Sequence, residues 1–548
     1  MNQGNQPLVA YFCMEFGLHE DFRIYSGGLG ILAGDILKAA KDGNYPMVGV
    51  GILWRQGYTT QVIREDGKLY DCFPEYNYDF LQDTGVIVEV WIRNRPVRLK
   101  VWKCDRFGNV PLYLLDANLW ENADRLITGQ LYGWFNEERI AQEIILGVGG
   151  VRALRALGIH PDVFHFNDSH PVVAGIELIR EKMHGEGKSF EEAWDRTREQ
   201  IVFTTHTPIM AGNEVHGHHL LQYMGAYNGL DYNQMARLGG DPFGMTVAGL
   251  RLSRKANAVA ELHGHTARNM WQHVEGGSPI IAVTNGVHNG TWQDSRIALA
   301  AGTGVDLWAS HQEIKREMLA EIAERNGVKL NENALTIGFA RRAAPYKRGD
   351  LIFRRPDVIE PLLNEGKLQL IFSGKAHPND LEGKGIVYRL YEMSKRYPES
   401  VVFLQNYDMK IGKLLTRGCD VWLNNPVRPM EASGTSGMKA AMNGVMNFSI
   451  LDGWWPEGCC HGVNGWQIGD GCSHCDQDWA DADALYYVLL NDVIPTYYGN
   501  RAKWLEMMKS SIEMSEWRFS AARMVREYYE LMYRRDGDSA AKPAAQAG

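Results

Sequence analysis

Cysteine is scarce in this chain, with eight in 548 residues. That density is too low for a disulfide framework and suits reduced thiols. Long apolar runs are missing too: no stretch approaches the roughly 18 residues that a membrane span needs, so the sequence does not read as a membrane protein. The opening MNQGNQPLVAYFCMEF lacks the basic segment of a secretion signal, and a cytoplasmic protein is expected. Positive charge is in deficit: 57 Lys and Arg stand against 66 Asp and Glu, for a formal net charge of -9. Nucleic acid and anionic membranes are poor partners for such a surface. Internal repeats of solenoid length and extended low-complexity linkers are absent. What remains is an ordinary globular composition, 45% hydrophobic and 22% charged, in a chain too long for one core. At roughly 100–200 residues per domain, at least two large domains are expected.

Short apolar runs alternate with helix-like stretches, the pattern of βα units and parallel sheets, so the predicted class is α/β. In the first half LVAYFCMEF, MVGVGILW, DVFHFND and IVFTTHTP read as strands ending in polar residues, and SGGLGILAGDILKAAKDG reads as a loop feeding a helix. VIVEVWIRNRPVRLKVW alternates in the manner of antiparallel strands, an insertion in the plan. The second half repeats the plan with ALTIGFA, LQLIFSGK, VVFLQNYD and CDVWLNN as strands and DLEGKGIVYRLYEMSKRY as a helix. Two similar halves imply a cleft, and the carboxyl ends of such strands are where α/β sheets place ligands. Glycine and asparagine cluster in TNGVHNGTW, residues 284–292, where the junction is expected. This gives a first domain over 1–290, a second over 291–535 whose final helices pack back toward the first, and a disordered tail over 536–548.

Three segments carry charge or geometry suited to phosphate. EASGTSGMKAAMNG, residues 431–444, reads as a glycine-rich turn feeding a helix, whose outward N–H groups at a positive dipole end suit an anion. Lys439, eight positions after Glu431, is its unusual member. RRAAPYKR, residues 341–348, sets Arg341, Arg342, Lys347 and Arg348 directly after an apolar strand, with Pro345 placed to open the next helix. Guanidinium and ammonium groups there suit phosphate oxygens, although a solvated helix start paired with acidic neighbours has the same composition. Ser26-Gly27-Gly28-Leu29-Gly30 is a second glycine-rich cradle of the same kind. EGCCHGVNGWQIGDGCSHC gathers Cys459, Cys460, His461, Cys472, His474 and Cys475. Zinc accepts such ligands, but the spacing is not that of Cys-x-x-Cys knuckles. No metal is assigned, and zinc at Cys459, Cys460, Cys472 and Cys475 stays open as an option.

SGGLG, NDSHP (167–171), TTHT (204–207), NAVAELH (257–263), TNGV with Trp292, RRAAPYKR, SGKAHP (373–378), LQNYD (404–408) and EASGTSGMKAAMNG occur in that order along the chain. In this ordered set the sequence resembles the α-glucan (glycogen, starch, maltodextrin) phosphorylases, in a short bacterial-type form, over nearly its whole length. The resemblance implies the GT-B arrangement, two Rossmann-like domains facing across a deep cleft. It implies a glycosyltransferase that reversibly phosphorolyses the terminal glucose of an α-1,4-glucan to α-glucose 1-phosphate with retained configuration. Its partners would be the glucan and inorganic phosphate, or glucose 1-phosphate, and the longer relatives suggest a homodimer. Lys439 would carry pyridoxal 5′-phosphate as a Schiff base, with the 5′-phosphate rather than the ring assisting catalysis. Related nucleotide-sugar enzymes hold a glutamate at the second of these positions, so Lys439 opposes a nucleotide-sugar glucosyltransferase. That reading and a catalytically silent glucan-binding relative are the alternatives.

By the same match, Lys439, Thr435, Ser436, Gly437, Arg341, Trp292 and Tyr407 would surround the cofactor. Arg342 and Lys347 would flank the substrate phosphate and, with Lys439, His206 and Thr435, form the catalytic set. Gly28 and Leu29 would hold that phosphate from the opposite loop. Asp168, His206, Asn285, Glu431, Ser433 and Gly434 would contact the sugar, His206 and Asn285 at its 6-hydroxyl. His170 and His263 are further cleft candidates. Ile31 and Asp408 stand where the longer enzymes carry arginines, which leaves two cations missing, and Arg428 is a candidate replacement. The family's N-terminal regulatory helices have no counterpart before the first strand, which argues against control by that route. The preferred glucan is left open.

Overall fold

The computed structural model describes residues 6–535 apart from 66, 134, 304, 305, 473 and 474. The tail over 536–548 and His474 lie outside the described residues. Runs such as VAYF and MVGVGI are buried at every position, as strands covered on both faces by helices must be. In the first half β1 (Val9–Phe12), β2 (Met47–Ile52), β3 (Gln82–Ile92), β4 (Arg95–Cys104), β5 (Leu112–Asp116), β6 (Val163–Asn167), β7 (Ile201–Thr204), β8 (Lys255–Ala258) and β9 (Ile280–Ala282) form one sheet. Its order is β9-β8-β7-β6-β1-β2-β5-β4-β3. The pairs from β9 to β5 are parallel. β3 and β4 are added antiparallel at one edge, and β3 alternates between exposed and covered positions along most of its length, the signature read in the sequence.

A second sheet contains β10 (Leu335–Ala340), β11 (Leu368–Ser373), β12 (Val401–Leu404), β13 (Val421–Asn424), β14 (Met446–Ile450) and β15 (Gly465–Ile468) in the order β12-β11-β10-β13-β14-β15, every pair parallel. The order reverses between β10 and β13, and ligands of such sheets bind outside the carboxyl ends at that reversal. The α/β class expected from the alternation is therefore observed. Gly28–Asp42 and Leu381–Arg396 are helical as read. Pro345 opens only a three-residue turn, Pro345–Lys347, rather than a full helix, because Arg348 turns to φ 48 and ends it.

The first core takes in both the nine-stranded sheet and Ala521, Met524, Tyr528 and Tyr533 from the end of the described chain. Tyr529 donates its hydroxyl to the Pro46 carbonyl at 2.8 Å. The halves also meet in a cluster of Ile31, Val287, Trp292, Met409, Met438, Trp454 and Phe519. A hairpin of Thr60–Ile63 and Leu69–Cys72 reaches across from the first half. There Gln61 donates to the Ala376 carbonyl at 3.3 Å, and Lys384 pairs with Asp71 at 2.6 Å. Among the described residues no helix is long and apolar enough to cross a membrane.

Candidate active site

Both sheets aim their carboxyl ends at one cavity of about 540 Å³. From the first half come Glu15 beyond β1, Gly28 and Leu29 at the start of their helix, Asp168 beyond β6, His206 beyond β7 and Asn285 beyond β9. From the second come Arg341 and Arg342 beyond β10, Lys375 beyond β11, Tyr407 and Asp408 beyond β12, and Glu431 to Ser436 beyond β13. Seven lining side chains are Arg or Lys and four are Asp or Glu, so a chain of net charge -9 concentrates positive charge here. Such a concave, cation-rich wall favours an anionic guest.

Lys439 sits on the helix Ser436–Ala441, after a turn in which Gly434 adopts φ 82, a left-handed conformation that glycine takes without strain. Its side chain is buried, with Nζ 3.5 Å from the centre of the Trp292 ring. The Trp292 indole N–H donates to both carboxylate oxygens of Asp35, at 2.8 and 3.0 Å, and so fixes the ring. Among the described residues the Lys439 amine makes no hydrogen bond and no ion pair. Burial drives its pKa down to about 8, against the opposing pull of Asp35. An amine in that state is available as a nucleophile near neutral pH.

Glu431 holds two of the cations. Its carboxylate accepts from Arg341 at 2.7 Å and from Lys347 at 2.9 and 3.1 Å. Burial works against ionisation, but Arg341 and Lys347 outweigh it and hold the pKa down to about 2. Asp452 lies behind, accepting the Glu431 backbone N–H at 2.9 Å, and burial raises it to about 7. Arg342 is the contrast: among the described residues its side chain has no hydrogen bond and no ion pair, and it reaches the open cavity.

Three polar groups face the cavity ready for neutral donors and acceptors. His206 donates Nε2–H to Asn167 Oδ1 at 2.6 Å, an orientation fixed because Asn167 Nδ2 donates to Cys13 Sγ. Burial lowers the His206 pKa to about 3, so the ring is neutral and presents Nδ1 as an acceptor. Asn285 Oδ1 and Ser433 Oγ are buried without a partner among the described residues. Asp168 keeps φ 71, a left-handed conformation that costs a non-glycine residue and concentrates at functional sites.

The cavity brings together every residue read as a cofactor or sugar contact except Gly437. Gly437 is walled in instead: a Cβ there would lie 2.5 Å from Asn447 Oδ1, and Asn447 donates to its carbonyl. His263 is also outside the lining, its Nδ1 accepting the Val259 N–H. Arg428 does not replace a missing cation, because it donates to the Gly471 carbonyl away from the cavity. Ile31 and Asp408 do line it, and Asp408 pairs with Arg23 at 3.5 Å. Arg23, Arg139 and Lys375 are lining cations that the sequence reading passed over, although Lys375 stands in the quoted SGKAHP. Glu15 was missed as well, and it braces the glycine loop by accepting from the N–H groups of Ser26 and Gly27 at 2.5 and 3.1 Å. Among the described residues no three of Cys459, Cys460, His461, Cys472 and Cys475 come together as a metal-ligand group.

The family model for carbohydrate phosphorylase matches residues 303–455. The maltodextrin phosphorylase of Thermococcus litoralis is 40% identical over 96% of this chain and 70% of its own length. The glycogen phosphorylase of Aquifex aeolicus is 36% identical over 96% of this chain and 86% of its own. That of Mycobacterium tuberculosis is 37% identical over 98% and 71%. The chain belongs to the carbohydrate phosphorylase family. The segment matched by the family model contains Arg341, Arg342, Lys347, Glu431 and Lys439, the cation-rich wall of the cavity.

Proposed function

We propose that this family member is an α-1,4-glucan phosphorylase that reversibly transfers the terminal glucose to inorganic phosphate with retained configuration, using pyridoxal phosphate held at Lys439. The observation that carries the reading is the Lys439 amine, buried, unpaired among the described residues and with a depressed pKa at the edge of a cation-rich cavity. The residues present fit the cofactor: Trp292 offers a ring face, Arg341 and the Thr435–Ser436 turn offer donors, and the amine has no other partner among the described residues. When bound, the cofactor supplies a phosphate group fixed beside the substrate phosphate and, through it, a proton source for the glycosidic oxygen.

This chain's own residues handle the remaining tasks. Arg342, with no carboxylate partner among the described residues, and Lys347 bind the substrate phosphate and offset the repulsion between neighbouring anions. As phosphate takes Lys347, Glu431 loses one of its two partners and turns a carboxylate acceptor toward sugar hydroxyls. His206 Nδ1 accepts from the 6-hydroxyl, and Asn285 Oδ1 and Ser433 Oγ, unpartnered among the described residues, complete the sugar site. Gly28 and Leu29 close the phosphate site from the first half, where nothing lies within 4 Å of a Cβ built at Gly28.

Borohydride reduction followed by peptide mapping is expected to fix a cofactor-mass label on Lys439, with none in Lys439→Ala; a label elsewhere overturns the assignment. Maltoheptaose and phosphate are expected to give glucose 1-phosphate. A cofactor-loaded protein that forms none would instead be a silent glucan-binding relative.

A further inference from the structure

Next to the cavity, beyond Arg139, lies a pocket of ligating atoms that the reading above does not use. The helix Asn136–Ile144 carries Glu143, which is 0% exposed and among the described residues has no hydrogen-bond partner on either carboxylate oxygen. Glu214 and the short strand Val215–His216 approach from the segment after β7. Glu214 Oε2 and His216 Nε2 are buried and likewise unpartnered among the described residues. His216 Nε2 lies 3.4 Å from Glu143 Oε2, and one donor atom from each of the three residues lies within 4.8 Å of the others. Arg139 pairs with the other oxygen of Glu214 at 3.1 Å, and His170 Nε2 stands 4.0 Å from it.

Buried polar atoms are almost always hydrogen-bonded, and a buried carboxylate without a partner is costly. Three such atoms, one from each residue and all within 4.8 Å of one another, are therefore a feature to be explained. We propose that Glu143, Glu214 and His216 bind a first-row divalent cation of the zinc or manganese class. Two metal bonds of about 2.0–2.2 Å at a tetrahedral angle hold an imidazole nitrogen and a carboxylate oxygen about 3.4 Å apart, and that is the spacing found. Two carboxylates match the charge of a divalent ion, and the imidazole favours a transition metal over magnesium or calcium. Arg139 on the far oxygen of Glu214 supplies the outer hydrogen bond that orients a metal-ligating carboxylate. The ion would tie residues 214–216 to the helix that carries Arg139, which lines the cavity. This site does not depend on the phosphorylase reading.

The test uses the full chain with Cys459, Cys460, Cys472 and Cys475 each replaced by serine, which removes competing thiolates. After chelator treatment the protein is titrated with Mn²⁺ by calorimetry in phosphate-free buffer, and with Co²⁺ by absorption spectroscopy. One equivalent of Mn²⁺ is expected, with a raised melting temperature. Co²⁺ is expected to give ligand-field bands without the near-ultraviolet charge-transfer band of thiolate ligation. Glu143→Gln and His216→Gln should each weaken Mn²⁺ binding by at least about tenfold, a loss that even outer-shell changes reach. A parent protein that binds neither metal at millimolar concentration overturns the site, and two carboxyl groups sharing a proton then fill the pocket. Binding unchanged in both variants overturns it as well. The Co²⁺ spectrum of the parent decides the matter if a variant fails to fold.

Discussion

Lys315 and Lys439 both lie in the interior of the second half, at 0% and 6% exposure, yet their surroundings are opposite. Lys315 donates to Asp420 at 2.6 Å, to the Ala334 carbonyl at 2.8 Å and to the Tyr497 hydroxyl at 3.2 Å, which uses all three of its donors. His311 Nε2 and the Thr336 N–H complete the shell of Asp420. Lys439 lies over the π-face of Trp292 and has no hydrogen bond or ion pair among the described residues. Leaving an amine unsatisfied in a packed interior is costly, so the difference separates a lysine that holds the fold from one that the proposed function assigns to chemistry.

Exchanging the two losses gives the sharpest test. Lys439→Ala is expected to reduce phosphorolysis and cofactor uptake to background while the cofactor-free protein melts no lower than the parent, since a desolvated amine is removed. Lys315→Met is expected to cost about 3–5 kcal/mol in urea unfolding, because Asp420 stays buried without its ammonium. Cofactor absorbance per folded molecule should not change in that variant. Activity lost equally in both, or stability lost at Lys439, breaks the distinction.

Arg342 extends the comparison to the guanidinium groups. Arg341 already has Glu431, whereas Arg342 has no partner among the described residues, so Arg342→Gln removes only an interaction with a ligand. Its kcat/KM for phosphate is expected to fall about 10²–10³-fold with the melting temperature unchanged. A large stability loss would mean that Arg342 supports the fold instead.

The sequence announced the site more fully than the sheets. Arg341, Lys347, Glu431 and Lys439 stand in runs whose composition is unusual for an acidic chain, which marked them as candidates for an anion site, while their individual roles came from the family resemblance. β5, β8, β9, β14 and β15 went unread: KANA, MNFSI and GWQI mix small or polar residues with apolar ones, Ile280–Ala282 is three residues long, and LYLLD follows closely on the alternating insertion, so none stands out as a separate apolar run. Gly437 was assigned to the cofactor by its place in a motif, and the packing of Asn447 and Trp454 against it gives the reason a glycine stands there. Glu15, Arg23 and Arg139 are isolated charges in unremarkable local sequence that the fold carries to the cavity from separate elements. The Glu143, Glu214 and His216 pocket combines positions about 70 residues apart, a juxtaposition that no local pattern encodes.

The smallest expected effect concerns the protonation of Lys439 itself. Burial depresses its pKa from 10.5 to about 8, with Asp35 opposing and Lys413 assisting. Below about 8 the cofactor-free folded chain holds the proton at full desolvation cost. Between about 8 and 10.5 the unfolded chain binds the proton that the folded chain has released, so the contribution of this group to stability rises with pH across that window. Attachment of the cofactor needs the unprotonated amine, so the reconstitution rate of cofactor-free protein should climb nearly tenfold per pH unit below about 8 and level off above it. Stopped-flow absorbance from pH 6 to pH 9 measures this. A rate that keeps climbing through pH 9 without levelling off would mean that the amine is not desolvated before the cofactor arrives, and the contrast with Lys315 would then lie in pairing alone.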